Sequence, residues 1–205
     1  HQQVLLGMVA LLGASVFADW FGRRRDWGVA TWPARASLLV IAISLLSTIE
    51  MGRHVLFGPD WIAWVLALAG HYALLHRSDI APQVIEGSAL AKWDYASHAG
   101  GAWLLTAMLA DSLRLGIDRG ELWNTSWAGV IFLVSAVAVL AGLIRWAGRA
   151  AALADTSGLR WPLQPAARAY WWVAAAPLAV LGYSGALLAA LVAEGVTDPL
   201  PYLPL

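Results

Sequence analysis

A chain of 205 residues that is 60 % apolar and only 13 % charged departs from a soluble domain, in which about a quarter of residues carry charge. Thirteen basic and thirteen acidic residues leave no net charge, which excludes nucleic-acid binding through bulk positive potential. With no cysteine, disulfides, thiolate zinc sites and cysteine nucleophiles are excluded too, and composition leaves an integral membrane protein.

A helix crossing a hydrocarbon core about 30 Å thick needs about 20 mostly apolar residues. Six segments meet or approach that length. They run from Val4 to Phe21, Ala34 to Met51, Trp61 to His76, Trp93 to Leu113, Trp123 to Trp146 and Ala167 to Val192. The second and third are short and call for tilt or local thinning. No run alternates at period two over a strand's length, so the expected fold is an all-α transmembrane bundle and not a barrel. Helices satisfy every backbone donor and acceptor within one segment. The start at His1-Gln2-Gln3 has no signal-peptide pattern, and the chain stops inside an apolar, proline-rich stretch. Both fit one membrane region belonging to a longer polytopic chain.

Six spans sort the basic residues into two sets. The loops after spans one, three and five hold Arg23, Arg24, Arg25, Arg35, Arg77, Lys92, Arg145, Arg149, Arg160 and Arg168. The other side holds Arg53, Arg114 and Arg119. The positive-inside rule then puts the Arg-rich loops in the cytoplasm and both chain ends outside. One Lys against many Arg points to a bacterial source, hence an inner-membrane location. Most of the 13 tryptophans fall at span ends, where the ring sits at headgroup level; Trp64 and Trp103 lie deeper and read as packing residues.

Helix contacts in lipid rely on small residues. Ser97, Gly100 and Gly101 on span four, Gly182 and Ala186 on span six, and Gly7, Ala10 and Ser15 on span one have that pattern. Pro177 should kink span six. Asp155 to Gly158, Pro162 and Pro165 read as turn material. No nucleotide-binding, zincin or nucleophile-elbow motif occurs, and no cofactor is implied.

Ionisable residues within spans are the candidate site residues. His71 lies deepest, either bonded to a carbonyl or hydroxyl as a structural group or acting in a binding site or proton relay. Glu50 and His54 share the i, i+4 spacing that lets a carboxylate and an imidazole meet on a helix face. They read as an acid/base pair or as a solvated end cap. Asp94 and His98 repeat the spacing at the start of span four, where an acid also favours the helix dipole. These pairs sit at opposite depths, so no metal site is expected. Asp19 and Asp111 sit at span ends, within reach of headgroups.

Three stretches resemble a bacterial family of large polytopic membrane proteins, the domain of unknown function 2339 family. They are Ser97-His98-Ala99-Gly100-Gly101-Ala102-Trp103-Leu104-Leu105, then Arg160-Trp161-Pro162-Leu163 with Tyr170-Trp171-Trp172, and the closing Pro199 to Leu205. All lie in the C-terminal half. The resemblance implies further spans and a cytoplasmic-membrane location; it supplies no catalytic residues. The functional reading is a cell-envelope membrane protein of structural or lipid-facing role. Alternatives are a transporter or flippase, and a membrane-embedded transferase using Glu50 and His54. The expected partners are membrane lipids and either the remaining spans of a longer chain or other membrane subunits, with no nucleic acid.

Overall fold

The computed structural model describes residues 2–80, 89–124, 126–152, 161–162 and 166–193. Among them the fold is all-helical, with no strand. The long helices are α1 (Gln2–Arg24), α3 (Ser37–Glu50), α4 (Trp61–Ile80), α5 (Ala89–Arg119), α6 (Ser126–Ala152) and α7 (Ala175–Ala193). A short helix, α2 (Trp32–Arg35), leads into α3. By length and hydropathy three segments among the described residues could cross a membrane: Gln2–Arg24, Gly28–Glu50 and Trp127–Trp146. Helices α4 and α5 are long too, but each carries polar groups, His71 and Asp79 on one and Asp94, His98 and Asp111 on the other. The chain divides into two compact units, His1–Asp111 and Ser112–Leu205.

In the first unit each helix turns one stripe inward. On α1 it runs Leu5, Met8, Leu12, Ser15, Asp19 and Gly22. That is the three- and four-residue spacing of one helix face. Ile41 and Leu45 of α3, Trp64 and Ala67 of α4, Leu104 and Met108 of α5, and Val55 complete a single core with the α1 residues. The outward faces are equally apolar: Leu6 is 70 % exposed and Ile43 63 %. Trp64 is buried, as its depth suggested, whereas Trp103 is 42 % exposed and is not the packing residue expected from its position in the span.

Two helix ends explain the turns. At the end of α3 the N–H of Arg53 donates to the Thr48 carbonyl and that of Gly52 to Ile49. Gly52 holds φ at +66°. This is a Schellman cap, with glycine in the left-handed region where a Cβ is costly. At the end of α1 the Trp27 N–H donates to the Gly22 carbonyl at 2.8 Å, and Asp26 takes the left-handed position, φ 53°. The Gly28–Thr31 turn then folds back on α1. A Cβ on Gly22 would come within 2.9 Å of Ala30 Cβ and 3.0 Å of the Trp27 carbonyl, so this close return requires glycine.

Of the small residues singled out in the sequence, those on α5 make the close contacts. A Cβ on Gly100 would meet Leu38 at 2.5 Å, and one on Gly101 would meet Tyr72 Oη at 3.1 Å. Nothing among the described residues approaches Gly7 or Gly182 in this way.

In the second unit α6 packs against α7 and against a π-helical stretch, Ala169–Ala174. Its buried positions include Ala128, Ala166, Ala169, Ala174 and Ala175, small side chains that let helices approach. The π turn lies just before Pro177. Proline lacks an N–H and its ring crowds the carbonyl four residues back, here Val173; where a kink is expected from the sequence, the distortion described is a local widening of the helix. The Asp155–Gly158 turn, Pro165 and the proline-rich Pro199–Leu205 stretch lie outside the described residues.

Candidate functional site

The inward stripes of the first unit are apolar through the middle and polar towards one end. Asp19 continues the α1 stripe, Ser37 begins that of α3, His71 continues that of α4, and Ser97 and His98 begin that of α5. Alternating helix direction brings these residues into one layer. Asp19 and His98 are almost fully buried, at 1 % and 2 % exposed.

A buried charge is tolerated only when paired and hydrogen-bonded. Both carboxylate oxygens of Asp19 accept from Arg23 Nε, at 3.0 and 3.1 Å, and Arg77 Nη1 of α4 is 3.6 Å away. Asp94 accepts from Ser78 Oγ at 3.0 Å and lies 4.0 Å from Arg35 Nε. Asp79 Oδ1 is 3.3 Å from His98 Nε2, and the Trp93 indole donates to the Arg35 carbonyl. Asp94 and His98 therefore share the start of α5 as expected, but their partners come from α2 and α4. Asp19 was expected among headgroups; it is an interior anchor, because its stripe position turns it towards α4.

His71 Nδ1 is 2.9 Å from Ser37 Oγ, the hydroxyl partner that a neutral buried imidazole calls for. Its other nitrogen, Nε2, is buried with no partner among the described residues. A Cβ on Gly101 would lie 3.5 Å from it. Beside this group is a cavity of about 40 Å³ lined by Asp19, Arg35, Ser37, His71, Asp94 and Ser97, among others. That is room for about three waters.

The other end of this unit carries a second polar contact, and it corrects the sequence reading. Helix α3 stops at Glu50 and the Gly52 cap turns the chain, so Glu50 and His54 do not share a helix face. Glu50 is exposed. His54 Nδ1 instead bonds Asp111 Oδ1 of α5 at 2.9 Å, and the Val55 N–H donates to Asp111 Oδ2 at 2.7 Å. Asp111, expected to reach headgroups, is 6 % exposed. The residue missed as a partner was Asp111, and its period with Leu104 and Met108 was the available signal. If His54 acts as a base, Asp111 and not Glu50 is its orienter. His54 is at the opposite end from His71 and His98, and no group of three potential ligands converges among the described residues.

The family model for predicted membrane proteins of the DUF2339 type matches residues 2–202. The chain belongs to the DUF2339 family. The match extends over both halves, beyond the C-terminal motifs that carried the resemblance. No curated protein and no solved structure matches the chain. This DUF2339 chain is thus an all-helical membrane protein of unknown activity, and the polar layer and the Asp111 contact lie inside its first helical unit.

Proposed function

We propose that this region is a structural, lipid-facing component of the bacterial inner membrane, held together by polar clamps at both ends of its first unit. One observation carries the reading: Asp19, Asp79 and Asp94 at one end of the first unit and Asp111 at the other each engage a group from another element, so these acids tie helices together. Exposed Phe17, Leu46 and Val180 fit a lipid-facing surface. The clustering of Arg on one set of loops supports placing those loops in the cytoplasm.

These 205 residues hold no cysteine, so single cysteines placed here test the topology once any cysteine elsewhere in the full-length protein has been replaced. In the full-length protein, Leu56→Cys is expected to react with an impermeant maleimide on intact spheroplasts. Val29→Cys is expected to react only after lysis. The reverse pattern would invert the proposed orientation.

A second reading, proton-coupled transport, is favoured by the unpartnered Nε2 of His71 beside hydroxyl groups and a small polar cavity. Proton flux into proteoliposomes separates the two. The structural reading expects the full-length protein to match empty vesicles. Flux above that background, abolished by His71→Ala while the protein stays monodisperse, would replace it with the relay.

A further inference from the structure

The face of α1 opposite its buried stripe carries Phe17, Trp20, Phe21, Arg24 and Arg25. Their spacing is i, i+3, i+4, i+7 and i+8, which places all five on one side of the helix. The rings form a ladder: Phe17 lies 5.8 Å from Trp20 and 6.2 Å from Phe21 between centroids. Each arginine then folds back on a ring one turn before it. The Arg24 guanidinium is 4.7 Å from the Trp20 centroid, and that of Arg25 is 5.7 Å from Phe21. Phe17 is 61 % exposed and Trp20 41 %.

The other arginines at this end are already engaged. Arg23 and Arg77 pair with Asp19, and Arg35 lies beside Asp94. Among the described residues Arg24 and Arg25 have no carboxylate partner, and neighbouring Asp26 makes no ion pair with either. Two guanidinium groups with no acid partner among the described residues thus cap a strip of exposed aromatic rings on a helix long and apolar enough to cross a membrane.

The geometry points to a binding site for an anionic phospholipid on this face of α1. An acyl chain lies along Phe17, Trp20 and Phe21, and the headgroup phosphate takes Arg24 and Arg25. Guanidinium is weakly hydrated, matches phosphate with two parallel donors, and is pre-positioned here by its ring. A zwitterionic lipid brings its own cation to the same place and gains less. The site rests on membrane embedding, not on the structural role proposed above.

The test uses the purified full-length protein, with phosphatidylglycerol or phosphatidylcholine titrated in detergent and bound lipid counted by native mass spectrometry. Wild type is expected to bind phosphatidylglycerol at least fivefold more tightly than phosphatidylcholine. Arg24→Gln with Arg25→Gln should weaken phosphatidylglycerol by about fivefold per arginine and phosphatidylcholine, whose phosphate shares its charge with a choline, by less. Arg145→Gln with Arg149→Gln, exposed arginines elsewhere, should change binding less than twofold. Phe17→Ala with Trp20→Ala should weaken both lipids. Equal affinity of wild type for the two lipids overturns the site. So does an unchanged Arg24/Arg25 double variant, or an equal loss in the Arg145/Arg149 control. If the double variant is not monodisperse, Arg24→Gln alone carries the same prediction, and Arg24→Lys should retain most of the binding. Separately, a full-length protein extracted from membranes without detergent would refute membrane embedding itself.

Discussion

Asp111→Ala is expected to destabilise the first unit by about 3 kcal/mol. The carboxylate is nearly fully buried and accepts from two donors, the Val55 N–H at 2.7 Å and His54 Nδ1 at 2.9 Å. Alanine removes the acceptor that both share, and the backbone N–H of Val55 cannot move out to solvent without unpacking Val55 from the core. Asp111→Asn keeps one oxygen for Val55 and replaces the other with a donor group facing His54, so about half the loss is expected. Equilibrium unfolding in mixed micelles, titrated with a denaturing detergent, measures both. A loss below about 0.5 kcal/mol for Asp111→Ala would mean that the clamp at this end does not hold α5 against the 51–57 turn.

Trp64→Ala should cost more, about 4 kcal/mol. Trp64 is 1 % exposed and shares the core with residues of α1, α3 and α5. Truncation opens a cavity that lipid cannot enter and neighbours fill only in part. Trp64→Phe is the informative control. It retains most of the packing and removes an indole N–H that is buried without a partner among the described residues, so it should stay within about 1 kcal/mol of wild type. The same micellar unfolding reads both variants. If Trp64→Ala were as mild as Trp64→Phe, Trp64 would face lipid and the inward register of α4 would be wrong.

The candidate sites are partly legible in the sequence. His71, Asp94 and His98 stood out because ionisable groups in apolar runs are costly, and all three line or border the polar layer. The partners were not legible. Asp111 meets His54 across 57 positions of sequence, and His71 meets Ser37 across 34. The Glu50/His54 reading failed for a local reason: it carried helical spacing through Gly52, where the backbone turns left-handed and the helix ends. For Asp19 the distance from the span end suggests headgroups, whereas its angular position on the α1 stripe turns it inward.

Composition alone decided the class of molecule. Apolar runs of helical length, scarce charge and no alternation admit little besides membrane helices. What it could not decide was which side of each helix faces protein. In water the buried face announces itself by being apolar, but a lipid-facing helix is apolar on both sides: Leu6 and Leu5 are adjacent on α1, one 70 % and the other 5 % exposed. Only assembled helices, with Gly100 against Leu38 and Asp19 between Arg23 and Arg77, settle the inward face. In hydrocarbon, close backbone contact and charge pairing choose it, and both require the neighbouring helix to be in place.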